Sequence, residues 1–302
     1  MLPNYSILHK QDIFITEKYE PDIRRDELSF LSRSFERHFN ERPYLHHTCY
    51  LFLTKTTKER SRQQSNWNTL CRGFLVPKEI RDKQTVERFM EAVGQFESIV
   101  NDSGLIKLER LTTEEITGTE NEPGIIERYL TLSADGTTML QDMQLNPDEM
   151  RIGDKRLCLH TLSDLDDLPG KVRMDGRYER LSTDRSDCRL SYAAPVGVML
   201  PCDHIYNQWI FIDDSNENLS RFEKAAKNMQ SLSRYSRSNQ INKEWLDEYL
   251  NEAHTNGLQS VRCHCNIIAW AENEDELRRV KNDVGSALAL MECTPHHNTT
   301  DL

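Results

Sequence analysis

Residues 5–16, "YSILHKQDIFIT", are rich in Ile, Phe and Tyr and predict an extended strand or a hairpin. A helix is predicted next, because in "RDELSFLSRSFERHF" the apolar positions Leu28, Leu31, Phe35 and Phe39 recur at three and four residues after an acidic start at Asp26 and Glu27. "LHHTCYLFLTKT" then reads as a second strand over residues 45–54. Beyond a polar stretch, "KQTVERFMEAVGQFESIV" places Val86, Phe89, Met90, Val93, Phe96 and Val100 along one helical stripe. Gly104 is a natural helix stop, and "GLIKLERL" is expected to form a third strand.

The last third repeats this order. "HIYNQWIFID" (residues 204–213) is a predicted strand, followed by Leu219, Phe222, Ala226, Met229 and Leu232 at helical spacing. A second helix, "NKEWLDEYLNEAHTNG", is expected to turn Trp245, Leu246, Tyr249 and Leu250 to one face and to end at Asn256-Gly257. "QSVRCHCNIIAWA" follows as a strand, and "EDELRRVKNDVGSALALME" as a helix with Leu277, Val280, Val284, Leu288 and Met291 inward. Short strings run in parallel, "KQDIFIT" with "NQWIFID" and "HTCYLFLT" with "CHCNIIAW". Strands interleaved with long amphipathic helices predict an α+β fold of two lobes, with helices packed on mixed or antiparallel sheets and a tendency to the ferredoxin-like split βαβ arrangement. The lobes are expected at residues 1–112 and 191–302. Residues 113–190 hold half of the chain's 12 glycines and read as a connecting region of loops and short strands.

Composition narrows the function classes. The chain has 302 residues, and 38 Lys+Arg against 49 Asp+Glu give a net charge of −11. An acidic chain repels phosphate unless its basic residues gather on one face, so direct nucleic-acid binding is not expected. No apolar run approaches the roughly 18 to 20 residues of a membrane-spanning helix, and "MLPNYSILHKQ" lacks the pattern of a signal peptide. A cytosolic chain is expected, with its 8 cysteines reduced.

The search for chemistry yields little. There is no G-x-x-x-x-G-K-[ST] string, and the fragment "DLPGKV" lacks the first glycine and the following Ser or Thr, so it reads as a turn. No G-x-S-x-G occurs. In "STDRSDCR" the alternating charges, Asp184 and Arg185 among them, suit mutual pairing or a partner contact better than catalysis. A basic stretch at residues 55–66 carries Lys55, Lys58, Arg60 and Arg62. Another, "RYSRSNQINK", carries Arg234, Arg237 and Lys243. Both are candidate contact surfaces. Finally, "RCHCNIIAW" sets Cys263, His264 and Cys265 side by side. Zinc commonly takes about four ligands from C-x₂₋₄-C or H-x₃₋₅-H pairs, and on a strand only Cys263 and Cys265 would converge. The expectation is therefore a core strand with Cys263 and Cys265 buried together, His264 opposite, and no metal.

Longer strings reach further than these motifs. "LHKQDIFITEKY", "LSFLSRSFERHFNERPYL", "CYLFLTKTTKER", "LCRGFLVPKEIRDK", "EAVGQFESIVNDSG", "DEMRIGDKRLCLHTLSD", "RYERLSTDRSDCRLSYAAPVGV", "NKEWLDEYLNEAH" and "VKNDVGSALALMEC" closely resemble the N-terminal part of TraG proteins of Bacteroides-type conjugative transposons. The resemblance spans essentially the whole chain. It implies a docking or scaffold region of a conjugation (type IV secretion) ATPase, cytoplasmic and peripheral to the inner membrane. Its implied partners are its own motor domain and other secretion subunits, with homo-oligomers formed by the full-length protein. ATP and Mg are implied for that motor alone. The chain is expected to be a fragment, without cofactor, catalytic or metal residues of its own. The alternative drawn from the residues is an independent cytosolic enzyme or metal-binding protein using its Cys and His groups.

Overall fold

The computed structural model describes residues 2–20, 29–40, 42–56, 82–120, 123–132, 142–146, 149–162, 167–170, 172, 175–232 and 235–298. The fold is α+β, with helices packed on a large antiparallel sheet. In chain order the elements are β1 (Ser6–Lys18), α1 (Phe30–Phe39), β2 (Pro43–Lys55), α2 (Lys83–Asp102), α3 (Thr113–Thr117), α4 (Ile125–Thr131), β3 (Met143–Leu145), β4 (Met150–Ile152) and β5 (Lys155–Leu162). There follow β6 (Asp175–Arg177), β7 (Arg189–Ser191), a 3₁₀ turn (Ala194–Val196), β8 (His204–Ile212), α5 (Ser215–Leu232), α6 (Arg237–Asn256), β9 (Val261–Ala271), α7 (Glu274–Leu290) and β10 (His296–Asn298).

Two compact units are each assembled from three separated segments. The first takes Met1–His9, Leu51–Glu109 and Trp209–Cys263; the second takes Lys10–Tyr50, Arg110–Gln208 and His264–Leu302. Their boundaries fall inside β1, β2, β8 and β9, whereas the lobes expected from sequence followed chain order with limits at 112 and 190.

In the second unit the sheet runs β2-β1-β8-β9-β5-β4-β3. One edge of β5 pairs antiparallel with β9, Cys158 opposite Ala269 and Leu162 opposite Cys265. Its other edge is shared by β4, Leu157 opposite Met150, and β10, Thr161 opposite His296. This eight-residue strand lies in the region expected to be a connector. On one face of the sheet α7 buries Leu277, Val280, Val284, Leu288 and Met291, the stripe read from the sequence, against Cys158, Ile267 and Ala269. The helix starts where Asn273 accepts the Glu276 amide at 2.9 Å, and Glu274, Asp275 and Glu276 fill the first turn, each favourable at the positive end of the helix dipole. A second cluster joins Leu132, Ile152, Ile205 and Trp270, with Ile13, Ile15, Leu157 and Ile268 packed against it.

The first unit contains the remaining lengths of β1, β2, β8 and β9 with α2, α5 and α6. Here Tyr5 donates its amide to Ile212 and accepts from Thr56 through its carbonyl. His9 lies between Trp209, 4.3 Å away and nearly coplanar, and Phe52, 5.3 Å away. Helices α5 and α6 pack on each other through buried Ala226, Leu250 and Ala253, and Phe222 meets Tyr249 edge to face at 5.3 Å. The left-handed Gly257 (φ 65°) closes α6, as its Asn-Gly end predicts.

Two expectations fail, and two predicted helices form with their stripes only partly covered. "GLIKLERL" forms no strand: after α2 the chain is irregular, because Asn101 uses its side chain to accept the Leu108 amide at 2.6 Å and to donate to the Leu108 carbonyl at 3.3 Å. Those backbone groups are thereby taken from any sheet ladder. Neither α1 nor α2 has a buried residue: Leu31 on the α1 stripe is 77% exposed, and the α2 stripe is half-buried at Phe89, Val93, Phe96 and Val100 and exposed at Val86 and Met90. Trp245 does not join Leu250 inside, but stands 66% exposed on the other side of α6. Leu28 lies outside the described residues.

Candidate functional site

The "CHC" stretch opens β9. Cys265, facing Leu162, is half-buried and packs against the α7 core, as expected of an inward cysteine. Cys263 does not share that burial. It is exposed, like Val261 and Arg262 before it, because these residues precede the part of β9 that the core covers. Partial desolvation still pushes its thiol upward, and lowers the imidazole of half-buried His264. Among the described residues no group of three or more His, Cys, Asp or Glu side chains is arranged to hold a metal ion.

The basic candidates divide three ways. Lys55, at the end of β2, is held by its own fold, donating to the carbonyls of Asn4 at 2.5 Å and Thr56 at 3.1 Å and lying 5.6 Å from the Tyr5 ring centre. Lys58, Arg60, Arg62 and Arg234 lie outside the described residues. Arg237 opens α6 exposed, and Lys243 pairs with Asp247 one turn on, at 3.4 Å. Asp184 and Arg185 form the exposed tip of the turn bridging Thr183 to Ser186. The charges around that turn answer one another: Arg177 meets Asp187 at 3.4 Å and Arg189 meets Asp175 at 3.3 Å across β6 and β7.

Sequence reasoning missed a polar cluster in the second unit. Asp12, 4% exposed, accepts from Lys10 and, at 2.9 Å, pairs with His47 Nε2. Burial alone would raise its carboxyl, but the bonds from Lys10 and His47 and the Lys10 charge outweigh it and hold the group below its ordinary value. Burial, reinforced by the Asp12 charge, pushes the neighbouring Cys49 thiol up to about 11. An acid set between its partners with a strongly protonated thiol is a structural knot and does not activate a nucleophile. The period-two spacings Lys10-x-Asp12 and His47-x-Cys49 were the available signal. Beside it, Gln11 donates to Asn207 at 3.1 Å and Asn207 to Asn266 at 3.0 Å, a buried ladder across β1, β8 and β9.

His204 is fully buried, stacked 4.5 Å from Phe14, with its ring nitrogens 2.8 and 2.9 Å from the carbonyls of Cys202 and Val196. Burial pushes its pKa down, and the two carbonyls, Asp203 and Asp12 recover only part of that shift. A cleft of about 640 Å³, solvent at its mouth included, lies in the same unit, lined by apolar Ile13, Ile15, Ile205 and Trp270 and by Glu17 and His46, which pair at 3.6 Å.

No family model and no curated protein matches the chain. The largest unexplained feature is the apolar surface left open on the helices. Phe30 and Leu31 on α1, Met90 and Ile99 on α2, and Trp245 on α6 are all between 49% and 86% exposed. Among the described residues no helix is long and apolar enough to cross a membrane.

Proposed function

We propose that this chain is the N-terminal docking region of a conjugation (type IV secretion) ATPase, coupling a motor domain to the DNA-transfer machinery at the inner membrane. The long strings shared with TraG proteins of Bacteroides-type conjugative transposons support the family. The observation that carries the docking role is α2, a 20-residue helix with no buried residue, whose apolar stripe is exposed at Val86 and Met90 and only half-buried at Phe89, Val93, Phe96 and Val100. A soluble domain rarely leaves so large an amphipathic face open unless another surface covers it. ATP and Mg belong to the motor domain in this reading, and this region supplies attachment and positioning.

Two measurements test it. The reading frame beyond residue 302 is expected to encode a phosphate-binding loop within a few hundred residues, and its absence overturns the ATPase assignment. Full-length protein is expected to co-purify with inner-membrane secretion subunits and to lose them when Met90 and Phe96 on α2 are both changed to Asp. Unchanged co-purification removes α2 from the docking role. Stoichiometric zinc in the purified protein would favour the metal-protein alternative.

A further inference from the structure

The two sides of α6 are built for different neighbours. Its inner side holds buried Leu250 and Ala253 with half-buried Leu246 and Tyr249, and Tyr249 meets Phe222 of α5. Its outer side carries Ile241, Glu244, Trp245, Glu248 and Glu252, whose offsets of 3, 4, 7 and 11 residues place them along one face. Trp245 is 66% exposed, Ile241 is 38% exposed, and all three glutamates are exposed.

The charges on this face are not neutralised by the helix itself. Glu244, Glu248 and Glu252 succeed one another at i,i+4, a spacing at which like charges repel. Among the described residues, Glu248 and Glu252 have no ion-pair partner. The cations of α6 are placed elsewhere: Lys243 answers Asp247, His254 meets Glu223 of α5 at 3.5 Å, and Arg237 stands at the first turn. A tryptophan in water beside a self-repelling acidic ridge stabilises nothing in the free chain, whereas exposed aromatic anchors and uncompensated charge are what protein recognition uses.

We propose that the outer face of α6 is a docking surface for a partner protein that presents an apolar groove rimmed by lysine and arginine. Trp245, with Ile241 beside it, fills the groove, and Glu244, Glu248 and Glu252 meet the basic rim. The acidic ridge repels nucleic acid and anionic lipid headgroups, and it repels a second copy of a chain whose net charge is −11. The inference deepens the docking reading above and rests on it for the existence of a partner. It names the chemistry of that partner and adds a contact separate from α2.

The probe is a synthetic amphipathic helix of leucine and lysine, titrated into the full chain while Trp245 emission is read as the difference from Trp245→Phe. A saturable blue shift is expected. Affinity is expected to fall roughly tenfold or more when Glu244, Glu248 and Glu252 are all changed to Gln, and again by a similar factor for Trp245→Ala. The single reversal Glu248→Lys is expected to weaken binding too, and serves if the triple variant fails to fold. The matched leucine-glutamate helix and vesicles of anionic phospholipid are expected to give no shift. Equal binding by the glutamine variant, an unmoved Trp245 signal, or equal binding of the acidic helix or the vesicles overturns the proposal. Those results leave the ATPase assignment untouched, since that assignment is overturned by a different outcome, the absence of a phosphate-binding loop downstream.

Discussion

Helices α7 and α2 carry the same three-and-four spacing of apolar residues, yet Val284 and Leu288 of α7 are completely buried and α2 has no buried residue. The difference lies in what stands opposite. α7 rests on β5 and β9, where Cys158, Ile267 and Ala269 offer a sheet face of small and branched side chains. On α2 the cover is partial, with Phe89, Val93, Phe96 and Val100 half-buried and Val86 and Met90 exposed. Periodicity tells which side of a helix is apolar; the cover comes from elsewhere in the chain or from a partner.

The sharpest break of this comparison is a pair of truncations. Leu288→Ala removes a fully buried side chain and is expected to cost about 2 to 5 kcal/mol in urea unfolding. Met90→Ala on the α2 stripe, where the side chain is half exposed, is expected to stay within about 0.5 kcal/mol, as exposed positions do. Equal losses would mean that α2 is covered after all. The next effect is polar. Asp12→Asn removes the buried charge and turns one of the two oxygens that serve Lys10 and His47 into a donor, and is expected to cost about 1 to 3 kcal/mol near neutral pH. The native carboxyl is depressed below its ordinary 3.8, so its contribution is present above that pH and is lost as pH falls through the native value. Acid unfolding of the wild type is expected to steepen below about pH 4, and the Asn variant to lack that part of the slope.

His204 gives a smaller and earlier pH effect. Its native pKa is depressed below 6.5 by burial, so the unfolded state binds the proton first. The contribution of the neutral imidazole is therefore full above pH 6.5 and declines as pH falls from there towards the depressed native value. A neutral ring has a single N–H, so only one of the two flanking carbonyls receives it. In urea titrations between pH 7 and pH 5 the wild type is expected to lose stability progressively. His204→Gln is expected to flatten that slope, whatever its effect on the midpoint at pH 7. An unchanged slope would assign the pH dependence to another group.

What was legible in the chain follows the same division. The α7 stripe, the β8 and β9 strands and the α6 stop could be read because local pattern and tertiary cover agree there. The third strand could not, since an Asn101 side chain captures Leu108 through a contact that hydrophobic pattern does not encode. Apolar pattern groups Trp245 on one face with Leu246, Tyr249 and Leu250, although Ile241 and the glutamates four residues apart mark the face on which it stands. β5 was hidden in a glycine-rich stretch, and its central place depends on pairing with β9, more than a hundred residues later. The Asp12 cluster requires knowing that β1 and β2 are neighbours.

Cysteine chemistry tests the comparison most gently, because it reads burial without changing a residue. Alkylation requires the thiolate and access to it. Burial pushes Cys158 up to about 11 and Cys202 up to about 12, the latter helped by its neighbouring thiol and acids, and both sit in the α7 core. Neither is expected to react with iodoacetamide at pH 8 until the protein unfolds. Cys263, exposed at the start of β9, is expected to react first, and Cys49, exposed but with its thiol raised to about 11 beside Asp12, more slowly. Modified Cys263 is expected to leave the unfolding free energy in urea within about 0.5 kcal/mol of the starting protein. Peptide mapping of the alkylated sites checks the order. Protection of Cys263 as complete as that of Cys158 would restore the paired burial first expected of "CHC" and extend the α7 core to the very start of β9.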